Sequence, residues 1–465
     1  IANFGFSVNE TKPRSVAGMK SKAKFAIRNP KSEIPMKIVR VIARLNVGGP
    51  ARHVVWLTAG LQGSDCESLL VAGMVPPGEE DMGYFAANYG VSPLLIPQMS
   101  REISFKDALT IWKLYRLFCR ERPDVVHTHT AKAGTVGTIA GLLYRWLTPS
   151  TLLGRPRQCL FVHTYHGHIF HSYYGRIKTR LFLSIEKALA RLITDRIVVV
   201  SEQQHREIQR SFGVGRPDQF VVIPLGLDTG NFANWRNRRH SFREELGAKN
   251  EDILVGIVGR LTEIKNHELF LRAVKRFKEK RLGLKSQLRV GFVVLGDGNL
   301  RRRLEDEAHS LGLSEEVTFA GSRKDPENFY AALDIVALTS LNEGTPLTLI
   351  EAMANARPVI ATAVGGVVDL LGEAVSENQN EGYSVCRRGV SVPSNDVEAF
   401  AAGLIRLVED SHLRRELGEQ GLAYVTGNYS KERLFNDVRA LYSELLSRPL
   451  PMGARPSQQS LETKI

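Results

Sequence analysis

Residues 334–366, DIVALTSLNEGTPLTLIEAMANARPVIATAVGG, constrain the fold more than any other part of the chain. Asp334 to Leu338 is an apolar run short enough for a buried strand. Thr339 to Thr345 is a polar loop, and a helical stretch follows from Pro346 to about Asn355. A second strand, Pro358 to Thr362, runs into Gly365-Gly366. Thr345 suits the N-cap and Pro346 the first helical turn, where its missing N–H costs nothing. A helix that opens directly after a strand points free N–H groups and a partial positive charge out of the sheet, which suits an anion. Glu343 precedes this helix start and Glu351 lies inside the helix, so two carboxylates flank the anion position. A phosphate with a hydroxyl-rich group on either side describes a sugar nucleotide. Two surface glutamates on an ordinary α/β helix would read the same way, so the rest of the chain has to decide.

The chain has 465 residues and is 43% hydrophobic, enough for more than one sizeable core. Residues 1–34 and 447–465 lack apolar periodicity and read as a basic disordered arm and a disordered tail. The chain opens on Ile1 rather than Met, which leaves the true N-terminus open. No secretory signal is legible near the start. The longest apolar candidate, Thr135 to Leu153, is broken by Arg145 and Pro149 and does not suit a membrane span. Cys66, Cys119, Cys159 and Cys386 are scattered with no C-x-x-C pair, against a disulfide framework or a cysteine zinc site. A cytoplasmic protein is expected.

The net charge of +13 has three readings. Basic residues cluster in the arm, at Arg176, Lys178 and Arg180, from Lys275 to Arg289, and at Arg301 to Arg303. Solvated helix faces come first, an anionic membrane surface second and nucleic acid last, because no RRM, KH or zinc-finger pattern accompanies the charge.

Lys37 to Ala43 is a β-branched strand, followed by a glycine turn at Gly48-Gly49 and a helix with Val54, Val55, Leu57 and Leu61 on its apolar face. The turn is not G-x-G-x-x-G, yet it allows close backbone approach at a strand's carboxyl end, where open α/β sheets bind ligands. Strands are expected again at Leu69 to Ala72, Asp124 to His127, Cys159 to Thr164 and Arg196 to Ser201, with helices between, which means a parallel sheet. Two of them end in histidines: His127 and His129, then His163, His166 and His168, with His171 beyond. Three imidazoles could ligate zinc, but no H-E-x-x-H occurs and no carboxylate lies in either cluster. Substrate contact is the larger expectation and strand-end packing the remainder. Ile223 to Asp228 reads as an interdomain linker.

The pattern restarts at Ile253 to Val258, so two sheets are expected. Arg260 and Lys265 follow that strand, where a diphosphate would need cations, Arg as a fork and Lys as a point charge. Val290 to Leu295 leads to Gly296-Asp297-Gly298, a tight turn. Val317 to Ala320 leads to Gly321-Ser322-Arg323, where a nucleotide base could stack. Helices near Val397 to Val408 and Lys431 to Leu446 finish the fold, and the last could cross back to the first domain.

G-R-L-x-x-x-K-N at 259–266, G-D-G at 296–298, and E-G-x-P-L-x-L-x-E-A-M-A at 343–354 followed by P-V-I-A-T-x-V-G-G resemble the retaining glycosyltransferases of family 4. The similarity covers roughly residues 36 to 445. H-T-H-T-A-K-A-G at 127–134 and H-T-Y-H-G-H at 163–168 further resemble bacterial members that build exopolysaccharide, capsule or lipopolysaccharide. The resemblance implies the α/β GT-B fold, two Rossmann-like doubly wound parallel-sheet domains facing a cleft. The acceptor-side domain would span 35–225 and the nucleotide-sugar domain 226–428, with a helix at 429–446 crossing back. It implies that Arg260 and Lys265 neutralise the donor diphosphate, that Glu343 touches the transferred sugar and that Glu351 touches the ribose. The backbone of Gly344, Thr345, Pro346 and Leu347 would meet phosphates and sugar, and Gly48 and Gly49 would approach the diphosphate from the other domain. Gly298 and Arg323 would border the donor, and His166 would sit near the reacting carbon. The donor would be a nucleotide-diphosphate sugar, uridine favoured, and the acceptor a glycan or lipid-linked glycan. No cofactor or metal is implied, in keeping with the lack of any D-x-D in the chain. A peripheral contact with the anionic inner face of the cell membrane would suit the charge. The family commonly carries Glu where this chain has Asp369, which leaves that donor contact open.

Two rival readings are a sugar-nucleotide epimerase on the same fold and a non-catalytic basic protein binding membrane or nucleic acid. E-x7-E together with G-R-L-x-x-x-K-N weighs against the first. The retained phosphate cations and both glutamates weigh against the second.

Overall fold

A computed structural model describes residues 35–76, 81–99, 105–149, 151, 156–167, 176–282 and 288–447. The basic arm at 1–34, the tail beyond 447, and His168 and His171 lie outside them.

The β-branched runs of the first half form β1 (Met36–Ile42), β2 (Cys66–Ala72), β3 (Leu94–Leu95), β4 (Val125–His129), β5 (Leu160–Tyr165), β6 (Arg196–Val199) and β7 (Phe220–Val222). They pair side by side in the order β3-β2-β1-β4-β5-β6-β7, all parallel. The helices between them are α1 (Gly49–Gly60), α2 (Gly83–Asn88), α3 (Lys106–Glu121), α4 (Ala131–Trp146), α5 (Arg176–Leu192) and α6 (Glu202–Arg206). Strand order reverses between β1 and β4, the place where an open sheet of this kind leaves a crevice at its carboxyl edge. α4 lies unusually close to the sheet because it turns Gly134, Gly137 and Gly141 towards it. A Cβ at these positions would sit 2.6 Å from the His163 ring, 2.6 Å from Thr128 Cγ2 and 2.0 Å from the Phe161 ring.

The second half repeats the scheme. Its strands are β8 (Ile253–Val258), β9 (Val290–Leu295), β10 (Val317–Gly321), β11 (Ile335–Leu338), β12 (Val359–Thr362), β13 (Ala374–Asn378), β14 (Tyr383–Cys386) and β15 (Gly389–Val392). The order is β10-β9-β8-β11-β12-β15-β14-β13, with the reversal between β8 and β11. β14 is antiparallel to both β13 and β15. The helices are α7 (Trp235–Glu245), α8 (His267–Arg281), α9 (Arg301–Ser310), α10 (Pro326–Ala332), α11 (Leu347–Ala354), α12 (Val367–Leu371), α13 (Val397–Glu409) and α14 (Ser411–Asn428).

The last helix, α15 (Lys431–Ser447), returns to the first sheet. Its Leu434, Val438, Leu441, Tyr442 and Leu445 share a buried core with Ile38, Leu57, Val125, Val162 and Val198.

The basic runs of the second half are paired on the surface. Arg272 pairs with Glu307, Arg276 and Lys280 with Glu398, Arg281 with Glu409, and Arg303 with Glu268. Exposed pairs of this kind add little stability, but they cancel the local field, as the solvated-face reading requires.

Candidate functional site

The carboxyl edges of the two sheets face one another around a cavity of about 800 Å³. The first lobe lines it with Gly48, Gly49, Arg52 and His166. The second lobe contributes Arg260, Lys265, Gly298, Arg323, Glu343 to Leu347, and Glu351. The structure therefore brings every expected site residue to one cavity.

The floor on the second lobe is a pair of interlocked loops. Lys265 Nζ lies 2.5 Å from Glu343 Oε1, and the Ser340 hydroxyl donates to the same oxygen at 2.6 Å. Thr339 Oγ1 donates to the Lys265 carbonyl at 3.0 Å, and the Leu341 N–H donates to the Ile264 carbonyl at 2.8 Å. Lys265 and Glu343 thus form an ion pair on the cavity floor. Arg260 is exposed and has no carboxylate partner among the described residues, so its fork is open to an anion.

Two expectations need correction. Helix α11 begins at Leu347, with Pro346 in extended conformation at the N-cap and no side-chain cap. Thr345 does not cap the helix, because its buried hydroxyl donates to the Val200 carbonyl of the first lobe at 3.4 Å. The first two N–H groups of α11, those of Leu347 and Thr348, are consequently left without a side-chain cap at the cavity, while the Leu349 N–H donates to the Pro346 carbonyl at 3.2 Å. Arg323 borders the cavity, but its guanidinium is held by Asp325 at 2.9 and 3.0 Å and by Glu245 at 2.6 Å, and it lies over the Phe242 ring. It supplies wall rather than a free cation.

The lobes meet closely. A Cβ on Gly344 would be 2.7 Å from the His166 carbonyl oxygen and 2.9 Å from Gly167 Cα, so only glycine fits. Gly49 faces Leu347 in the same way, at 3.0 Å. Arg52 on α1 forms an ion pair with Glu351, whose side chain is only 6% exposed. The Glu351 carboxylate raises the Arg52 guanidinium above its ordinary value, and burial beside it pushes the Tyr330 hydroxyl up as well. Asp369 accepts from the Gln203 N–H at 3.2 Å, so its carboxylate serves the junction of the lobes.

Behind the cavity stands a row of buried imidazoles. His129 Nδ1 and His166 Nε2 are 3.0 Å apart and their rings stack. His53 meets His166 edge-on, with ring centres 4.7 Å apart. His127 lies tilted against His129, ring centres 4.2 Å apart, and is fixed by Tyr442 from α15 and by Thr164. Burial keeps all of them neutral, pulling His166 and His163 down to about 3. It also holds His53, His127 and His129 well below the usual imidazole range. A neutral His166 on the cavity wall can accept or donate a hydrogen bond without adding charge.

The description "Glycosyl transferases group 1" matches residues 238–423, and "Glycosyltransferase Family 4" matches residues 47–231. A galactosyltransferase of Escherichia coli that acts from UDP-Gal on α-D-GlcNAc-diphosphoundecaprenol is 30% identical over 325 residues, covering 70% of this chain and 76% of that protein. The chain belongs to the family 4, group 1 glycosyltransferases. The capsular polysaccharide biosynthesis glycosyltransferase CapM of Staphylococcus aureus is 24% identical over 353 residues, covering 75% of this glycosyltransferase and 84% of CapM. Anabaena HepE, solved with UDP and glucose, superposes with a TM-score of 0.69 at 19% identity, over 88% of this chain and 100% of that one. The two sheets and their reversed strand orders are the GT-B fold.

Sequence reasoning missed Arg52 and His53 in this glycosyltransferase. Their one local signal is their place in the first turn of the helix that follows Gly48-Gly49, at the edge of the crevice.

Proposed function

We propose that this glycosyltransferase is a retaining, metal-independent enzyme that moves a hexosyl group from a UDP-sugar to a glycan or lipid-linked acceptor in exopolysaccharide, capsule or lipopolysaccharide assembly. The observation that carries the reading is the cavity itself. Arg260 and the Lys265–Glu343 pair stand on one wall, and His166 with Gly48-Gly49 on the other. Arg260 and Lys265 stabilise the charge of the departing diphosphate, together with the uncapped N–H groups of α11. These two cations do for the phosphates what a divalent ion does in metal-dependent transferases. Glu343 takes hydroxyls of the transferred sugar, and Glu351 takes the ribose hydroxyls in exchange for Arg52. The acceptor oxygen attacks the anomeric carbon from the face the leaving group departs from. The bond from that carbon to the β-phosphate oxygen breaks, and this oxygen takes the acceptor's proton.

The E. coli relative's lipid-linked acceptor supports an acceptor of that class. No helix among the described residues is long and apolar enough to cross a membrane. Phe105, Leu109 and Trp112 are exposed beside Lys106, Lys113 and Arg116 on α3, which suits a peripheral seat on an anionic inner membrane face. No nucleic-acid partner is expected.

The test incubates the purified protein with UDP-, GDP- and ADP-sugars in EDTA, following nucleotide release and thermal shift. Stabilisation by one nucleotide in the wild type, lost in Lys265→Ala, with slow turnover in EDTA, is the expected result. A protein that no nucleotide stabilises overturns the donor assignment, and turnover abolished by EDTA overturns metal independence.

A further inference from the structure

His53 comes from α1, His129 from the end of β4 and His166 from the loop after β5, three neighbouring elements at the carboxyl edge of the first sheet. One ring nitrogen from each lies within 4.8 Å of the other two. Nδ1 of His129 and Nε2 of His166 are 3.0 Å apart. Two imidazole nitrogens on one tetrahedral zinc ion sit roughly 3.3 Å apart, from Zn–N bonds of about 2.05 Å. Among the described residues, Nε2 of His129 and Nδ1 of His166, the ring nitrogens opposite that pair, have no hydrogen-bond partner, so each can carry its ring's proton while the facing nitrogen holds an ion; Nδ1 of His53 is likewise without one. Imidazole is a borderline ligand that suits Zn2+, Co2+ and Cu2+ rather than Mg2+. With no carboxylate in the group, the three rings leave a fourth position, and His166 opens onto the donor cavity.

We infer that His53, His129 and His166 form a three-imidazole site for a borderline divalent ion such as Zn2+, and that the ion inhibits glycosyl transfer by occupying His166. The ion takes Nδ1 of His129 and Nε2 of His166, and the proton those nitrogens share moves to the other nitrogen of the ring that carried it, so both rings stay neutral. The site itself rests on the histidine geometry alone. Its inhibitory effect rests on the proposed function, in which His166 must be free to meet the donor sugar. The enzyme thus works without metal and is shut off by a trace transition metal.

The full chain, stripped with EDTA and dialysed, is titrated with Co2+. One equivalent should produce the intense visible bands of tetrahedral Co2+, Zn2+ should bleach them, and Mg2+ should not. His53→Gln and His129→Gln should each weaken Co2+ binding at least tenfold while keeping the metal-free melting temperature near that of the wild type. Absence of tetrahedral bands, or binding untouched by both substitutions, overturns the site. X-ray absorption on the zinc-loaded wild type needs no variant to fold. Three imidazole nitrogens are expected, and fewer overturn the assignment. If Co2+ binds as described and no nucleotide-sugar is consumed with or without metal, the site stands and the transferase reading fails. If transfer runs equally fast with the site saturated by Zn2+, the inhibitory half is wrong.

Discussion

Gly344 offers the sharpest perturbation, because its missing Cβ is where the two lobes touch. A Cβ there would lie 2.7 Å from the His166 carbonyl oxygen, 2.9 Å from Gly167 Cα and 3.4 Å from the His166 carbonyl carbon. Ordinary contact needs about 3.4 Å or more, so the two backbones must separate by roughly 0.7 Å, and neither has a flexible side-chain end to move aside. Overpacking of this kind costs about 1–3 kcal/mol. The cost falls on the arrangement in which the lobes meet, here called closed, since a methyl group would have room if the lobes moved apart. At about 1.36 kcal/mol per factor of ten, turnover through the closed form should fall about five- to 150-fold in Gly344→Ala. Arg260, Lys265 and the α11 N–H groups stay on one lobe, so nucleotide affinity should change less than threefold. Steady-state kinetics paired with calorimetric titration of the free nucleotide separates the two effects. A Gly344→Ala enzyme with wild-type kcat refutes the closure argument. One that loses nucleotide affinity as far as it loses turnover would place the defect in the donor site instead.

Arg52→Ala removes the partner of a nearly buried Glu351, and breaking a buried pair costs several kcal/mol in the closed form. We expect kcat to fall at least tenfold with donor KM unchanged or lower, since Glu351 is then free for a ribose; a raised KM alone would contradict this. Tyr442→Phe strips the hydroxyl that His127 Nδ1 meets at 2.6 Å and Arg40 at 3.3 Å, both inside the core under α15. Denaturant unfolding should show a loss of about 1–3 kcal/mol, and an unchanged midpoint would show that the bond is not needed. Acid should destabilise the fold. Burial lowers His163 to about 3 and His267 to about 4, against about 6.5 unfolded, so the unfolded chain binds more protons below pH 6.5 and stability falls as pH drops through that value. Each histidine should contribute about 2 kcal/mol of destabilisation by pH 5, relative to neutral pH. Melting temperatures in EDTA that stay flat from pH 7.5 to 5 would refute neutral, buried rings.

The strands that were legible in the sequence are those whose residues alone satisfy a buried position. Ile253 to Val258 and Val290 to Leu295 are β-branched runs bounded by turn signals, and they form β8 and β9 over those same residues. β13, Ala374–Asn378, is mostly exposed, and its pairing with β14 is a tertiary event that leaves no periodic pattern. α14 leaves little signal in the sequence because it is weakly amphipathic and carries Gly418 and Gly421, which let it lie against Ala356 and Met353. Arg260, Lys265 and Glu343 were legible because each follows the carboxyl end of a strand, a position fixed within one lobe. Arg52 and His53 were not, since what they meet belongs to the other lobe or to another strand.

Thr345 shows how the two scales compete. Local rules assign it to the N-cap of α11, because a hydroxyl one residue before a proline-led helix normally satisfies an orphan N–H. In the fold that hydroxyl donates to the Val200 carbonyl across the cleft, and Pro346 occupies the N-cap without a capping side chain. A capped helix would offer an anion N–H groups already satisfied by a neutral oxygen. An uncapped start leaves the Leu347 and Thr348 N–H groups open to an anion, while the diverted hydroxyl helps hold the lobes together. The failure of the capping rule at Thr345 is therefore what a helix start built for an anion requires, and it argues for the site as strongly as Lys265 does.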